Sequence, residues 1–255
     1  MNKSNILYII IGLTAGLWIG FTFANAVYHV EGTPSSAGQL QASRENNQPA
    51  GQQSSTAGNS NAGPRLQEEE LREAIARTEA RPDDIALQRK MGLALYAYAN
   101  QTQDASLLPD VARMLKRAYD ANPNDHELIL QMANVLFAIG QTSDPARFSE
   151  ARTYYLKALE IKPDDANART DLGLTYYLGQ PSDPKRAIAE YRKSLQSNPR
   201  DERTLQSLAA ALISTGNYDE AQRRIAELEK IDPQNSALPN LRAQLAQSKN
   251  AAAQE

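Results

Sequence analysis

Residues 198–233 read NPRDERTLQSLAAALISTGNYDEAQRRIAELEKIDP. Apolar residues recur three and four positions apart on both sides of Gly216-Asn217, a spacing that is typical of amphipathic helices. The Gly-Asn pair marks a turn between the two helical patterns. Pro199 and Pro233 bound the unit, because a proline does not fit inside a helix and restricts the residue before it. The stretch therefore predicts one antiparallel helical hairpin between two prolines.

The same phrase, a proline followed by polar or acidic residues, recurs along the chain. It stands at Arg81-Pro82-Asp83-Asp84, Asn122-Pro123-Asn124-Asp125, Lys162-Pro163-Asp164-Asp165, Asn198-Pro199-Arg200-Asp201 and Asp232-Pro233-Gln234-Asn235. The prolines of successive phrases lie 41, 40, 36 and 34 residues apart. Self-similarity at such a period is the signature of a helical-repeat solenoid, in which each unit buries its apolar face against its neighbours.

The period predicts an all-α domain over residues 64–250, built from about four helix pairs. The pairs are expected at 84–98 with 108–121, 127–139 with 145–161, 166–178 with 184–197, and 202–214 with 218–231. Helices at 66–80 and 236–248 are expected to cap the two ends, because terminal repeats need a polar outer face. Prolines 145 and 184 each follow Ser-Asp, which predicts a helix start with proline at the first helical position. Residues 251–255 are expected to be a disordered tail.

Small residues fall where two helices of a pair must approach closely, at Gly92, Ala133, Gly173 and Ala209 in the first helices and at Ala151, Ala187 and Ala221 in the second. Together with Leu172-Gly173 followed by Tyr176, and with Ala151, Tyr155, Ala158 and Pro163 in register, this pattern resembles the tetratricopeptide repeat. The resemblance covers residues 83 to 233, although the usual tryptophan is missing and only the last repeat has the standard length. It implies a right-handed α-solenoid whose first helices line a concave groove that takes a peptide.

If the groove is similar to that of the family, its lining can be assigned residue by residue. The candidate positions are Arg89, Leu93, Tyr96, Leu130, Asn134, Phe137, Thr170, Leu174, Tyr177, Gln206 and Ile213. The aromatic and aliphatic members favour an apolar or amphipathic protein or peptide segment as the partner, since buried aromatic side chains dominate such contacts. The alternative is that neighbouring helices cover these side chains and use them as core.

Residues 6–30 form an uncharged, mostly apolar stretch that is long enough to cross a bilayer. We expect a single transmembrane signal-anchor helix here, with residues 1–5 in the cytoplasm because Lys3 and the terminal amine lie on that side. The repeat domain is then extracytoplasmic, and periplasmic if the source is a Gram-negative bacterium. The alternative is a signal peptide, since Ala24-Asn25-Ala26 fits the small-x-small cleavage rule.

Two further features belong to the N-terminal part of the chain. Gly12, Gly16 and Gly20 share one helix face, a spacing that favours pairing of helices in a membrane. Residues 31–63 consist almost entirely of Gly, Ser, Gln, Asn, Ala and Thr, so they are expected to be a disordered linker.

Residue types that commonly perform catalysis or bind metals are scarce in this chain. It has no cysteine and two histidines, so neither a thiolate nor a metal-ligand cluster is expected. The net charge of −3 and the lack of a basic stretch argue against nucleic acid as a partner. Neither a phosphate-binding loop nor a nucleophile elbow is present. We therefore expect no enzyme activity and no cofactor.

The sequence as a whole predicts a membrane-tethered scaffold that binds a protein or peptide partner outside the cytoplasm. One anchor, one linker and one repeat domain resemble the architecture of bacterial envelope assembly factors, including those of cytochrome c biogenesis. This likeness is one of architecture alone. The alternatives are a homo-oligomeric platform built through the glycine face of residues 6–30 and a repeat domain secreted after cleavage.

Overall fold

The computed structural model describes residues 68–253, and every regular element in that range is helical. The helices are α1 (Glu68–Glu79), α2 (Ile85–Thr102), α3 (Leu108–Ala121), α4 (His126–Thr142), α5 (Arg147–Ile161), α6 (Ala166–Leu178), α7 (Pro184–Ser197), α8 (Glu202–Ser214), α9 (Tyr218–Ile231) and α10 (Leu238–Ala252). A short 3-10 turn, Ala105–Leu107, precedes α3. All ten helices belong to one compact unit, Leu66–Glu255. The prediction of an all-α domain is confirmed.

Helices that follow one another in the chain pack against one another. The hairpins are α2 with α3, α4 with α5, α6 with α7, and α8 with α9, and each second helix also packs on the first helix of the next hairpin. Helix α1 packs on α2, while α10 lies against α8 and α9. We call α2, α4, α6 and α8 the first helices and α3, α5, α7 and α9 the second helices. This order of contacts is that of a solenoid of stacked hairpins.

Each first helix begins directly after the last residue of a proline phrase, and the same chemistry starts all four. The carboxylates of Asp84, Asp125, Asp165 and Asp201 accept hydrogen bonds from backbone N–H groups in the first turn of the helix that follows. Such a cap satisfies a donor that the helix cannot, and it stabilises the helix by about 1 kcal/mol. The proline phrase is therefore a helix-start signal.

The second helices start in different ways. Asp183 caps α7 with Pro184 at the first helical position, as predicted. The prediction of a helix from residue 145 is wrong, because Pro145 and Ala146 form a turn and α5 begins at Arg147. The backbone N–H of Phe148 donates to the carbonyl of Pro145, a bond three residues back, so this segment is a tighter turn than an α-helix.

Glycine at two of the predicted crossing points has a steric reason. A Cβ atom at Gly173 would stand 2.4 Å from Cε1 of Tyr191, and one at Gly92 would stand 2.8 Å from Cδ2 of Leu115. In both cases the obstructing side chain belongs to the second helix of the same hairpin. Small residues at these positions therefore let the two helices of a pair approach closely.

Several features predicted from the sequence lie outside the described residues. These are the cytoplasmic segment 1–5, the transmembrane segment 6–30 with its glycine face (Gly12, Gly16 and Gly20), the linker 31–63 and the end of the tail. Within residues 68–253, no helix is both long enough and apolar enough to cross a membrane. The tail is helical as far as Ala252, because α10 extends four residues beyond its predicted end.

Candidate peptide-binding surface

The first helices are joined to one another by ion pairs. Arg89 of α2 binds Asp125 at 2.7 Å and Glu127 at 2.6 Å, both at the start of α4. Arg203 of α8 binds Asp171 of α6. Burial acts to raise the pKa of Asp125, but the N–H of Leu128 and the Arg89 guanidinium outweigh burial and lower it. The charge of Arg89, predicted to face a ligand, is thus already balanced within the protein.

Four of the eleven predicted groove positions are core positions. The side chains of Phe137, Thr170, Leu174 and Ile213 are 5, 1, 0 and 6 % exposed, so they do not line an open surface. Phe137 packs edge-on against Phe148 with ring centroids 5.3 Å apart. Each first helix is contacted by its own partner and by the second helix before it, and together these bury a wide arc of its surface. For these four residues the alternative considered from the sequence is the correct one.

The other seven positions keep a partly exposed side chain. They are Arg89, Leu93, Tyr96, Leu130, Asn134, Tyr177 and Gln206. Asp171 and Arg203 are partly exposed on the same helices. We call these nine residues the first-helix surface. It combines two tyrosines and two leucines with amides and balanced charges, so it is suited to binding by apolar contact and hydrogen bonds.

The tyrosines of the first-helix surface are sheltered although they are not fully covered. Burial raises the pKa of Tyr96, and the side chain of Asn100 partly offsets this by hydrogen bonding. Burial likewise raises the pKa of Tyr177, with Ser214 acting in the opposite direction. A tyrosine that is desolvated yet reachable offers both an apolar ring and a hydroxyl to a partner.

A buried tyrosine of a second helix contacts the first-helix surface. The hydroxyl of Tyr155 on α5 donates to Oδ1 of Asn134 at 2.8 Å, although its ring is fully buried. Burial strongly raises the pKa of Tyr155, Tyr96 raises it further, and Arg203 lowers it. Tyr155 therefore lies within electrostatic range of side chains from two other hairpins, and we take its position as the centre of the surface.

Arg203 is the cation at this centre. Burial lowers the pKa of its guanidinium to about 9, and the neighbouring Tyr155 acts in the opposite direction. The side chain is still protonated at neutral pH, and its ion pair with Asp171 supports the charged form. The sequence did not identify Asp171 as part of the site. The signal was present, since Asp171 and Arg203 lie 32 residues apart, close to one repeat period.

The described part of the chain offers little to a metal ion. Within residues 68–253, no three side chains of His, Asp or Glu come together in a group that could hold one.

Comparison with known proteins agrees with the stacked hairpins. A family model described as tetratricopeptide repeat matches residues 180–245, and a second one described as TPR repeat matches residues 147–179. Residues 147–245 therefore form tetratricopeptide repeats. Such repeats typically form non-catalytic scaffolds for protein interaction.

Solved structures with the same fold share little sequence with the chain. MamA from Desulfovibrio magneticus RS-1 is 18 % identical with a TM-score of 0.53, over 66 % of this chain and 87 % of that one. YrrB, described as a TPR protein with an unusual peptide-binding site, is 16 % identical with a TM-score of 0.51, over 69 % and 84 %.

A curated relative is closer in sequence over a shorter stretch. The type IV pilus assembly protein PilF of Pseudomonas aeruginosa is 36 % identical over 78 residues, which is 31 % of this chain and 30 % of PilF. The alignment therefore spans less than a third of either protein.

Proposed function

We propose that the protein is a membrane-tethered scaffold that binds an extended or helical peptide segment of a partner protein across its first-helix surface. The observation that carries this proposal is the position of the Tyr155 hydroxyl, which donates to Asn134 of the same hairpin and interacts electrostatically with Tyr96 of the first hairpin and Arg203 of the fourth. A peptide lying across α2, α4, α6 and α8 contacts the tyrosine rings and the amide of Asn134 together. The partner segment is amphipathic, because the surface is part apolar and part polar.

We further propose that the partner belongs to an assembly of the cell envelope. Two observations support this. Residues 6–30 have the length and composition of a membrane span. The relative from Pseudomonas aeruginosa is named for its part in pilus assembly. The repeat domain is then extracytoplasmic, held near the membrane by residues 31–63.

Site-specific photocrosslinking of the full-length protein in its own cells tests the peptide-binding surface. A photoreactive residue replaces Gln206 on the first-helix surface, and a matched one replaces Leu156, which is 43 % exposed on the second helix α5. We expect a discrete adduct from position 206, none from position 156, and loss of the adduct when Tyr177→Ala is added. Equal labelling at 206 and 156, or labelling that Tyr177→Ala leaves unchanged, contradicts the proposal.

The tether has a test of its own. N-terminal sequencing of the mature protein is expected to begin at residue 1 or 2, because an anchor is retained. A mature protein that begins after Ala26 would show that the segment is a cleaved signal and that the repeat domain is released.

A further inference from the structure

Tyr176, near the C-terminal end of α6, has an arginine from each of the two adjacent second helices against its ring. Cζ of Arg152 on α5 lies 4.2 Å from the ring centroid, and Cζ of Arg186 on α7 lies 5.7 Å from it. The tyrosine is partly exposed, and its hydroxyl has no hydrogen-bond partner among residues 68–253. Two cations and one available hydroxyl therefore meet at the edge of the solenoid where α6 ends and α7 begins.

The packing of the repeat does not require an arginine at position 152. This residue stands eleven positions before the proline of the phrase that follows its helix. The residues at the same distance from that proline in the other second helices are Ala112, Ile188 and Gln222. In α7 the position is filled by a buried aliphatic side chain, since Ile188 is 5 % exposed. The cation on α5 is thus a feature of this one hairpin.

One edge of the Arg152 guanidinium is fixed by the end of α6, and another edge is available. Nε donates to Oγ1 of Thr175 at 3.3 Å, and Nη2 donates to the carbonyl of Thr175 at 2.8 Å. This carbonyl belongs to the last turn of α6, where the helix dipole favours a cation. A Cβ atom at Gly179 would stand 3.0 Å from Nη2, so the glycine leaves room for the guanidinium. The terminal edge, formed by Nη1 and Nη2, keeps N–H donors for a ligand.

The charge of Arg152 is not balanced by a carboxylate. Within the described part of the chain no Asp or Glu side chain pairs with it, although it is only partly exposed. The other arginines of this part that lack an ion pair are all exposed to water: Arg81, Arg200 and Arg223. Arg186 has one carboxylate partner, Asp183, at 3.2 Å. The two arginines against Tyr176 therefore carry one positive charge more than their carboxylate partners neutralise.

We propose that Arg152, Arg186 and the hydroxyl of Tyr176 bind a phosphoryl group. The terminal edge of Arg152 donates to two of its oxygens, while Arg186 and the hydroxyl donate from other helices. A planar carboxylate is satisfied by the fork of a single arginine, whereas a phosphoryl group presents oxygens in several directions. Free phosphate and the headgroup of a phospholipid share this chemistry. The site is separate from the first-helix surface and does not depend on the function proposed for it.

Calorimetric titration of the full-length protein with inorganic phosphate tests the site, in dodecyl maltoside because this detergent contains no phosphate. We expect saturable binding that Arg152→Gln weakens about tenfold, through the loss of charge-assisted hydrogen bonds. Arg152→Gln also removes the contacts with Thr175, so two further variants guard against loss of folding. Arg186→Gln changes a side chain that is 70 % exposed, and Tyr176→Phe keeps the ring; each is expected to weaken binding about three- to tenfold. The matched control is Arg200→Gln, which removes an exposed arginine elsewhere and is expected to leave the affinity unchanged.

A second titration distinguishes the two sources of the phosphoryl group. Dihexanoyl phosphatidylglycerol, a soluble phospholipid, replaces inorganic phosphate under the same conditions. Tighter binding of the lipid identifies a headgroup as the ligand, and tighter binding of inorganic phosphate identifies free phosphate. Either order supports the proposal, provided that Arg186→Gln weakens the binding.

Three results would overturn the proposal. One is the absence of saturable binding of both phosphate and the lipid. Another is an equal loss of affinity in Arg200→Gln and Arg186→Gln, which indicates general attraction to positive charge. The third is binding of acetate as tight as that of phosphate at the same ionic strength, which indicates a site for a carboxylate.

Discussion

The hairpin of α4 and α5 and the junction of α6, α7 and α8 differ in whether buried hydroxyl groups join the apolar core. The first is apolar: Leu128, Ile129, Val135 and Phe148 are all at most 4 % exposed. At the junction, Thr170, Ser194 and Thr204 are buried together. The hydroxyl of Thr170 lies 2.8 Å from that of Ser194 and 2.6 Å from that of Thr204, and Ser194 donates to the carbonyl of Ala166 at 2.8 Å.

The two regions differ in whether a buried side chain needs a particular hydrogen-bond partner in order to stabilise the fold. Apolar packing contributes in proportion to the area removed from water and is not directional. A buried hydroxyl contributes only while it has a partner, and an orphaned one is costly. The buried hydroxyls between the third and fourth hairpins therefore restrict how these hairpins can pack more than they add to the free energy of unfolding. Four sets of substitutions probe this contrast, in order of expected effect.

Removing volume from the apolar hairpin has the largest expected effect. Leu128→Ala deletes part of a side chain that is fully buried in α4, so it loses transfer free energy and leaves a cavity. We expect the free energy of unfolding to fall by about 2–5 kcal/mol in urea denaturation. The matched control, Leu156→Ala, changes the same residue type at a 43 % exposed site and is expected to cost less than about 0.5 kcal/mol. Similar losses for the two variants would contradict the assignment of Leu128 to the core.

Adding volume at the junction is the next test. Gly173→Ala brings a Cβ atom to 2.4 Å from the buried ring of Tyr191. We expect a loss of about 1–3 kcal/mol from overpacking, although alanine is the better helix former. Gly92→Ala is a milder comparison, because its Cβ atom would stand 2.8 Å from Cδ2 and 3.0 Å from Cγ of Leu115, whose side chain can shift more easily than a buried ring. A thermal melt in which Gly173→Ala is as stable as the unsubstituted protein would rule out close packing at this crossing.

Breaking the cluster of hydroxyls formed by Thr170, Ser194 and Thr204 tests whether their hydrogen bonds stabilise the fold together. Thr204→Val keeps the shape of the side chain but removes its contacts with Thr170 and Asp201. We expect a loss of about 1–2 kcal/mol, since the Thr170 hydroxyl and the Asp201 carboxylate each lose one of their hydrogen bonds. The triple variant Thr170→Val/Ser194→Ala/Thr204→Val removes the partners as well. It should lose clearly less than the sum of the three single variants, and strict additivity would contradict a coupled cluster.

The stability of the protein at alkaline pH tests the burial of one tyrosine from each region. Burial raises the pKa of both Tyr155 and Tyr191, although Arg203 acts in the opposite direction on Tyr155 and a hydrogen bond with Ser207 does so on Tyr191. The folded state therefore keeps protons that the unfolded chain releases from about pH 10 upward. Stability due to each tyrosine is present below pH 10 and is lost above it, by about 1.4 kcal/mol per pH unit. Tyr155→Phe and Tyr191→Phe should each make the decline above pH 10 less steep, and an unchanged slope would contradict burial of that hydroxyl.

The helices were the easiest part to predict. Five of them, α3 and α6 to α9, have the expected bounds, because a capping residue or a turn stands at each end. The error at α5 has a local cause. Asp144 accepts from the N–H of Ala146 and binds the side chain of Arg147, so it shapes a turn instead of capping a helix at Pro145. Sequence does not distinguish this from Asp183 before Pro184, which does cap α7.

The site was harder to predict than the fold. Helical spacing tells which residues share a face, but not how many neighbours cover that face. Leu174 and Leu93 occupy matching positions in two first helices, yet only Leu93 remains partly exposed. Ion pairs between hairpins were also missed, because Arg89 and Asp125 meet only after two helices have been stacked. These contacts depend on tertiary packing, which a single helix pattern does not contain.

The aspartates that begin the first helices have a consequence for how such a chain changes in length. Each hairpin contains its own start signal, so no hairpin relies on a distant residue to define its boundaries. Duplication or loss of one complete unit, from proline to proline, leaves every remaining boundary in place. The solenoid can therefore be lengthened or shortened in evolution by whole hairpins, while its ends stay the same.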